Sequence, residues 1–184
     1  MRVSHILCAM LFAACALFAG VNRASAADSS GLTVFLPGGD DISGWNVVSA
    51  AERDATDEKG LYDTYDGAVE GMQKLGICYA HQRMFRNSSG KIVTIDIYTL
   101  YTWQHAKAYY VAQKNAMKSM TNFRTWQITQ EACAAQGAGT TTAYVWGKLY
   151  AACVTVQGGS GADLTTARAF VTTISNKIRT YKDR

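Results

Sequence analysis

The sequence predicts an α+β domain, in which a mainly antiparallel sheet carries helices packed against it. Two stretches of the chain repeat the order strand, strand, helix, and a further helix precedes the first of them. The strands are rich in β-branched and aromatic residues, and turns that contain glycine separate them. Pro37 is the only proline, and no low-complexity linker follows it, so we expect a single α+β domain over residues 32–184.

The first β-hairpin–helix unit is predicted from a strand at residues 77–86 and a return strand at residues 91–101. A symmetric Asn-Ser-Ser-Gly turn pairs residues whose numbers sum to 177, which sets His81 directly opposite Asp96. The same register predicts a shared core face made of Cys78, Ala80, Gln82, Met84, Val93, Ile95 and Ile97. A helix follows over residues 103–119, where no glycine or proline interrupts the helical spacing.

The second unit is predicted as strands at residues 124–134, 140–146 and 149–157 and a final helix. A tight Gly147-Lys148 turn would pair Tyr144 with Ala151 and Thr142 with Cys153. Asp163 or Thr165 caps the helix, which runs to about Tyr181 with apolar residues three and four apart.

The chain ahead of these units is predicted as two short strands and one helix. Residues 32–36 and 45–50 indicate strands, and a glycine-rich loop at residues 37–41 separates them. The helix covers residues 60–75 and ends at Gly76, because glycine is the preferred residue just after a helix.

The first 26 residues have the order of a secretory signal peptide. An apolar run at residues 6–21 follows a basic start and precedes Ala24-Ser25-Ala26, which predicts cleavage between Ala26 and Ala27. Residues 27–31 are then a disordered leader, and the domain is exported to the periplasm or beyond. An uncleaved anchor is the alternative, but the run is shorter than the roughly 20 residues that cross a bilayer. A lipoprotein is disfavoured because Cys8 and Cys15 lie inside the apolar run.

The charge balance argues against two classes of partner. Removing residues 1–26 takes away Arg2 and Arg23 and no acid, so the formal net charge falls from +4 to +2. A mild positive charge spread along the chain predicts neither nucleic-acid binding nor a polybasic membrane patch. No second apolar segment follows the first, so we expect no membrane span after processing.

Three cysteines remain after processing: Cys78, Cys133 and Cys153. In an oxidising compartment, an odd number of cysteines indicates one disulfide and one thiol, or no disulfide. We favour a tentative Cys133–Cys153 pair because both residues fall in the same sheet segment. Their spacing excludes a redox dithiol motif and a zinc knuckle.

Several short motifs resemble a family of exported bacterial domains of unknown function. They are residues 36–37 (LP), 44–45 (GW), 61–68 (LYDTYDGA), 95–98 (IDIY) and 106–109 (AKAY). The resemblance covers residues 33–181, and it departs where VEGM at residues 69–72 replaces a more aromatic continuation. It implies a fold and an exported location, and it implies no reaction.

Two sets of polar residues are candidate sites. Tyr62, Asp66 and Glu70 lie at i, i+4 and i+8 of the predicted helix, where paired carboxylates can bind a cation or act as acid and base. Acids in the first turns of a helix are more often solvated and favoured by its dipole. His81 and Asp96 would form half of a catalytic triad, or an exposed cross-strand pair. His105 lacks a second histidine at ligand spacing, so no metal site is predicted.

Aromatic and glycine-rich segments are weaker candidates. A groove for an apolar or sugar-like ligand could be lined by Tyr98, Tyr101, Trp103, Tyr109 and Tyr110. The run Gly158-Gly159-Ser160-Gly161 precedes a helix N-terminus, where an anion is favoured, but it lacks the lysine and spacing of a nucleotide loop.

These observations favour an exported, non-enzymatic domain that binds a small ligand or an envelope protein. The ligand site would involve Tyr62, Asp66, Glu70, Tyr98 and Trp103, on a concave surface between the sheet and the helix at residues 60–75. A hydrolase or metal-dependent enzyme that uses His81 with Asp96, or Asp66 with Glu70, is the alternative. A structural module of an envelope assembly is a third possibility. No cofactor is predicted.

Overall fold

A computed structural model describes residues 29–65 and 69–182 of the chain. In these residues, eight strands form one antiparallel sheet and four α-helices pack against it. The strands are β1 (Trp45–Val47), β2 (Arg53–Ala55), β3 (Ile77–Asn87), β4 (Ile92–Leu100), β5 (Thr121–Gln127), β6 (Glu131–Gly137), β7 (Thr140–Gly147) and β8 (Tyr150–Gln157). The helices are α1 (Glu58–Tyr65), α2 (Val69–Lys74), α3 (Trp103–Met117) and α4 (Gly161–Thr180). The predicted α+β class is confirmed.

The strand order across the sheet is β1-β3-β4-β8-β7-β6-β5, and β2 also pairs with β3. The central neighbours β4 and β8 come from the two predicted units, so the sheet joins these units edge to edge. β5 lies at one end of this order and pairs with β6. Among the described residues, no helix is both long and apolar enough to span a bilayer.

The predicted register of the β3–β4 hairpin is wrong by one residue. The turn closes on Asn87 and Lys91, so its loop has three residues, and Gly90 adopts a φ of +82°. A three-residue loop that ends in a left-handed glycine is a common hairpin connection. Gln82 therefore lies opposite Asp96, and His81 lies opposite Ile97. Because side chains alternate along a strand, this slip reverses which β3 residues share a face with Val93, Ile95 and Ile97.

The β7–β8 register differs from the prediction by two residues, which leaves each side chain on its expected face. Tyr144 pairs with Cys153, and the turn consists of Lys148 and Leu149, with Lys148 at a φ of 52°. The segment predicted as one strand at residues 124–134 is two strands, β5 and β6, that pair with each other.

The N-terminal part of the domain departs most from the prediction. Ser29–Phe35 forms a 3₁₀-helix where a strand was expected at residues 32–36, because Leu32, Phe35 and Leu36 all face the core. The described chain is thus already helical at Ser29, within the expected leader at residues 27–31. The expected helix at residues 60–75 is described as α1 and α2 on either side of residues 66–68, which lie outside the described residues, as do residues 1–28 with the expected cleavage site.

Two helix ends lie at or near the residues that the sequence predicts. Gly76 ends α2 with a φ of +80°, and its N–H donates to the Gln73 carbonyl. Ser160, rather than Asp163 or Thr165, is the N-cap of α4, and Asp163 completes a capping box with it. The final helix therefore begins two residues before the first of the expected caps.

The sheet is buried on both faces, by different helices. The face beneath α4 and the 3₁₀-helix, called here the α4 face, is aliphatic and aromatic and includes Val93, Ile95, Ile97, Val154 and Val156. The opposite face, beneath α1, α2 and α3, is called here the α3 face and includes Tyr98, Cys133, Tyr144 and Cys153. The α3 face also carries the Asp96 carboxylate, with half-exposed threonine side chains on the neighbouring strands.

Candidate functional site

His81 and Asp96 lie on opposite faces of the sheet, so the predicted His81–Asp96 pair is wrong. His81 is 5% exposed, and its Nδ1 lies 3.3 Å from Asp54 Oδ1 on the neighbouring strand β2. Its Nε2 lies 3.9 Å from Glu52 Oε1, and Glu52 also binds the Arg83 guanidinium. This cluster ties the N-terminal segment to β3, which is a structural role.

The described residues of the expected ligand site are divided between the surface and the core. Tyr62 is 43% exposed on α1, and Glu70 is exposed on α2. Asp66 lies outside the described residues. Trp103, at the start of α3, is 51% exposed, whereas Tyr98 is buried in the sheet.

The expected aromatic groove is therefore divided between core and surface. Tyr98, Tyr109 and Tyr110 belong to the core of the α3 face, while Tyr101 is exposed beside Trp103. The Tyr109 ring lies 5.5 Å from the Tyr98 ring and 6.2 Å from the Tyr144 ring, measured between centroids. These three tyrosines pack ring against ring between α3 and the sheet, as part of the core.

The tentative Cys133–Cys153 disulfide is also wrong. The three described cysteines form no disulfide, and Tyr144 lies between Cys133 and Cys153 as the register partner of both. One strand, β7, lies between them, so two inter-strand spacings separate their Cα atoms by about 9.5 Å, beyond the 7 Å or so that a disulfide can span. Burial raises the pKa of the Cys133 thiol to about 11, so this thiol is uncharged at neutral pH.

A row of polar side chains crosses the α3 face at the level of Asp96. Successive register partners along this row are Gln82, Asp96, Cys153, Tyr144 and Cys133. Partners in an antiparallel sheet point to the same face, with Cβ atoms about 5 Å apart. Asp96 thus has Gln82 on one side and Cys153 on the other.

The carboxylate of Asp96 is held through one of its two oxygens. Gln82 Nε2 donates to Oδ1 at 2.8 Å, and the Tyr65 hydroxyl at the end of α1 donates to the same oxygen at 3.0 Å. In the described part of the chain, no side chain donates to Oδ2. The carboxylate is therefore oriented, and the described residues leave its second oxygen able to accept a further hydrogen bond.

The surroundings of Asp96 shift its protonation equilibrium. Burial raises the pKa of Asp96 above its ordinary value of 3.8, and the hydrogen bonds from Gln82 and Tyr65 oppose that rise. Burial, together with the negative charge of Asp96, raises the pKa of both Tyr65 and Tyr98 well above the ordinary value. Both phenols are therefore neutral hydrogen-bond donors across the physiological pH range.

The sheet beside Asp96 is only half-covered. α3 packs against β4, β6, β7 and β8, and the α3-face side chains toward the β3–β4 turn stay half-exposed. Six neighbouring side chains are half-exposed on this part of the α3 face, here called the polar floor: Gln82, Met84, Thr94, Asp96, Thr142 and Thr155. The register places Thr94 opposite Thr155, and Thr155 opposite Thr142. Three hydroxyls and one carboxylate thus face outward together.

The polar floor has the donors and acceptors of a small-ligand site. A threonine hydroxyl can donate or accept, Gln82 can do both, and Asp96 Oδ2 accepts. A metal site is a poorer match, because no cluster of three or more histidine, cysteine, aspartate or glutamate side chains suited to a metal ion occurs among the described residues. The floor is best suited to a ligand with hydroxyl or amine groups.

Sequence reasoning found Asp96 but missed most of its neighbours. Thr94, Thr142 and Thr155 look like ordinary strand residues in the sequence, because threonine is common in strands. The available signal is the alternation, because Thr94 and Thr155 each lie between two apolar residues of their strands. The pairing of β4 with β8, for which the sequence carries no local signal, brings these two threonines together.

No protein-family profile matches the chain, and a search of curated proteins also found no match. The chemistry of the polar floor is therefore argued from its own residues. The resemblance to exported bacterial domains stays a prediction.

Proposed function

We propose that the protein is an exported domain that binds a small polar ligand on the polar floor, without catalysis. The observation that carries this proposal is the half-buried carboxylate of Asp96, which is held at Oδ1 by Gln82 and Tyr65 and available at Oδ2. Buried or half-buried carboxylates are costly unless their oxygens have partners, so an oxygen without one in the sheet is a candidate ligand contact.

The ligand class follows from the floor. An amine or hydroxyl group that donates to Asp96 Oδ2 would replace the missing partner, and the hydroxyls of Thr94, Thr142 and Thr155 would bind further polar groups. Met84 supplies an apolar contact at the edge. A polyhydroxylated or amine-bearing compound of small size satisfies these contacts better than an apolar one.

Export is part of the proposal, and the order of features in residues 1–26 supports it. In this proposal, the binding domain acts outside the cytoplasm, after cleavage has removed the apolar segment at residues 6–21. N-terminal sequencing of the protein recovered from the periplasm tests this point, and we expect the mature chain to start at Ala27.

Native mass spectrometry of the protein purified from the periplasm tests the ligand. We expect the wild type to retain a compound that Asp96→Asn loses or holds at much lower occupancy. Asp40→Asn is the matched control, because Asp40 is an exposed aspartate in the loop before β1. Equal occupancy in the wild type, Asp40→Asn and Asp96→Asn would place the ligand elsewhere, and an empty wild type would contradict the proposal.

An acid–base role for Asp96 is the second candidate, because its raised pKa suits a group that exchanges protons nearer to neutral pH. The same experiment separates the two functions. A binding domain gives one compound at different occupancies in the wild type and Asp96→Asn. An enzyme gives compounds of different mass, since the variant retains substrate that the wild type converts.

A further inference from the structure

A second cleft lies on the other face of the sheet, between β5 and the first two turns of α4. Its volume is about 270 Å³, and it is lined by Arg124, Trp126, Gly161, Leu164, Thr165 and Arg168. Arg124 and Trp126 are two residues apart on β5 and so point to the same face. Leu164 and Arg168 are four residues apart on α4 and so share one side of the helix. Both elements thus present an arginine and an apolar side chain to the same space.

Arg124 and Arg168 differ from several other basic residues of the domain in having no carboxylate partner among the described residues. Arg83, Lys91 and Lys177 each bind a carboxylate, from Glu52, Asp163 and Asp41 respectively. Neither Arg124 nor Arg168 has a carboxylate within ion-pair distance among the residues that the structure describes. Two like charges that line one small cleft repel each other, and an anion between them would remove that repulsion.

Arg168 is positioned within the cleft by an aromatic contact. Its guanidinium carbon lies 5.9 Å from the centre of the Trp126 ring. This cation–π contact holds the planar group against the strand, and its N–H groups remain available for a bidentate partner. The Trp126 and Leu164 side chains supply an apolar wall beside the two charges.

The helix end adds to the positive potential. Gly161 is the first residue of α4, where N–H groups lack acceptors within the helix and the dipole is positive. Asp163 is the one acid of this turn, and its carboxylate is engaged by Lys91 and by Ser160. It lines no part of the cleft, so the charge that faces a ligand there is positive.

We propose that this cleft binds a small organic anion, whose carboxylate or phosphate group lies between Arg124 and Arg168 and whose apolar part contacts Trp126 and Leu164. The site does not depend on the polar floor, since it lies on the opposite face of the sheet. In this proposal, the glycine-rich run at residues 158–161 has the role of placing the start of α4 beside the edge strand β5.

A titration of the ¹⁵N-labelled full mature chain with benzoate at constant ionic strength tests the proposal. The amide of Gly161 and the indole N–H of Trp126 are the reporters. In the wild type, both signals should shift along a saturable curve. In Arg124→Gln and Arg168→Gln, the dissociation constant for benzoate should rise at least about tenfold, as expected when a charged hydrogen-bond partner is lost.

The matched control is Arg179→Gln, because Arg179 is an exposed arginine near the other end of α4. It should bind benzoate as the wild type does, and so should Asp96→Asn. Arg168→Lys keeps the charge but lacks the planar group, and its affinity should fall toward that of Arg168→Gln. Linear shifts in the wild type, or the same affinity in Arg168→Gln and Arg179→Gln, would overturn the proposal.

Discussion

The two faces of the sheet are both buried, but they bury different chemistry. On the α4 face, the core is mainly aliphatic and aromatic, and Phe170 of α4 packs against Trp45 and Phe85. The buried polar side chains of Gln136 and Thr141 on this face donate to backbone carbonyls just before α4. On the α3 face, the same strands present Asp96, Cys153, Tyr144 and the threonines of the polar floor. The α4 face thus gives its buried Gln136 and Thr141 backbone partners, whereas the polar floor of the α3 face stays half-exposed.

Each face also has one buried or half-buried aspartate that interacts with neighbouring side chains. The pKa values of these two aspartates, Asp163 and Asp96, are shifted in opposite directions. Burial alone would raise the pKa of Asp163, which is 2% exposed, but hydrogen bonds from Lys91 and Ser160 outweigh it, and the pKa is lowered. At Asp96, burial outweighs the hydrogen bonds, and the pKa is raised. A fully satisfied carboxylate stabilises the fold, whereas a partly satisfied one is poised to accept a ligand.

Removing a large side chain from the α4 face should have the largest effect. We expect Phe170→Ala to lower the free energy of unfolding by about 3–5 kcal/mol, because it leaves a cavity among buried rings. Urea denaturation measures this, and Phe170→Leu is the control, with a smaller loss. If Phe170→Ala lowered the free energy of unfolding by less than about 1 kcal/mol, the α4 face would not be the main source of stability.

Neighbouring residues of β8 compare the faces directly. Val154→Ala removes two methyl groups from the α4 face and should cost about 2 kcal/mol. Thr155→Ala, one residue along and on the half-exposed polar floor, should cost about 0.5 kcal/mol or less. Equal losses, measured in parallel urea titrations, would show that the polar floor is as much a part of the core as the α4 face.

The hydrogen bond from Tyr65 to Asp96 should contribute less than the core residues do. Tyr65→Phe should lower stability by about 1 kcal/mol, since it removes one hydrogen bond to the Asp96 carboxyl group. It should also raise the pKa of Asp96 further. Tyr62→Phe is the control on the same helix, and we expect no change because Tyr62 is exposed. A Tyr65→Phe protein with unchanged stability and an unchanged Asp96 pKa would contradict the role given to this hydroxyl.

The smallest effect on stability is expected from Asp96 itself, and its sign depends on pH. A carboxyl whose pKa is higher in the folded than in the unfolded state loses stability as pH rises from the ordinary value of 3.8 through the folded value. Asp96→Asn should therefore be more stable than the wild type at pH 7, and this advantage should vanish below about pH 3.8. Thermal melts at several pH values measure it, and a variant that is less stable at pH 7 would reverse the interpretation.

Much of the fold could be predicted because it depends on local signals. The hairpin strands, α3, α4 and the end of α2 at Gly76 follow from periodicity, capping and turn residues. The register of β3 against β4 could not be predicted, because it depends on whether the loop at Asn87 has three or four residues. That single residue separates His81 from Asp96 and decides which side chains form the site.

The remaining errors share a physical cause, which is that tertiary packing outweighed local preference. Residues 32–36 are as apolar as a strand, yet they pack as a 3₁₀-helix against the α4 face. Cys133 and Cys153 are in one sheet segment, yet Tyr144 lies between them. Sequence reasoning could identify Asp96 and Tyr98 as candidates, and it could not show that the three threonines lie beside them.

The central claim is that the α3 face holds a carboxylate whose surroundings leave it incompletely satisfied. A ¹³C NMR titration of the aspartate carboxyl carbons in the protein tests this directly. We expect Asp96 to titrate above 3.8, while Asp163 and Asp41 titrate below it in the same sample. A pKa of Asp96 at or below 3.8 would mean that its carboxylate is as well hydrogen-bonded as that of Asp163. That result would contradict the proposal that the polar floor is a ligand site.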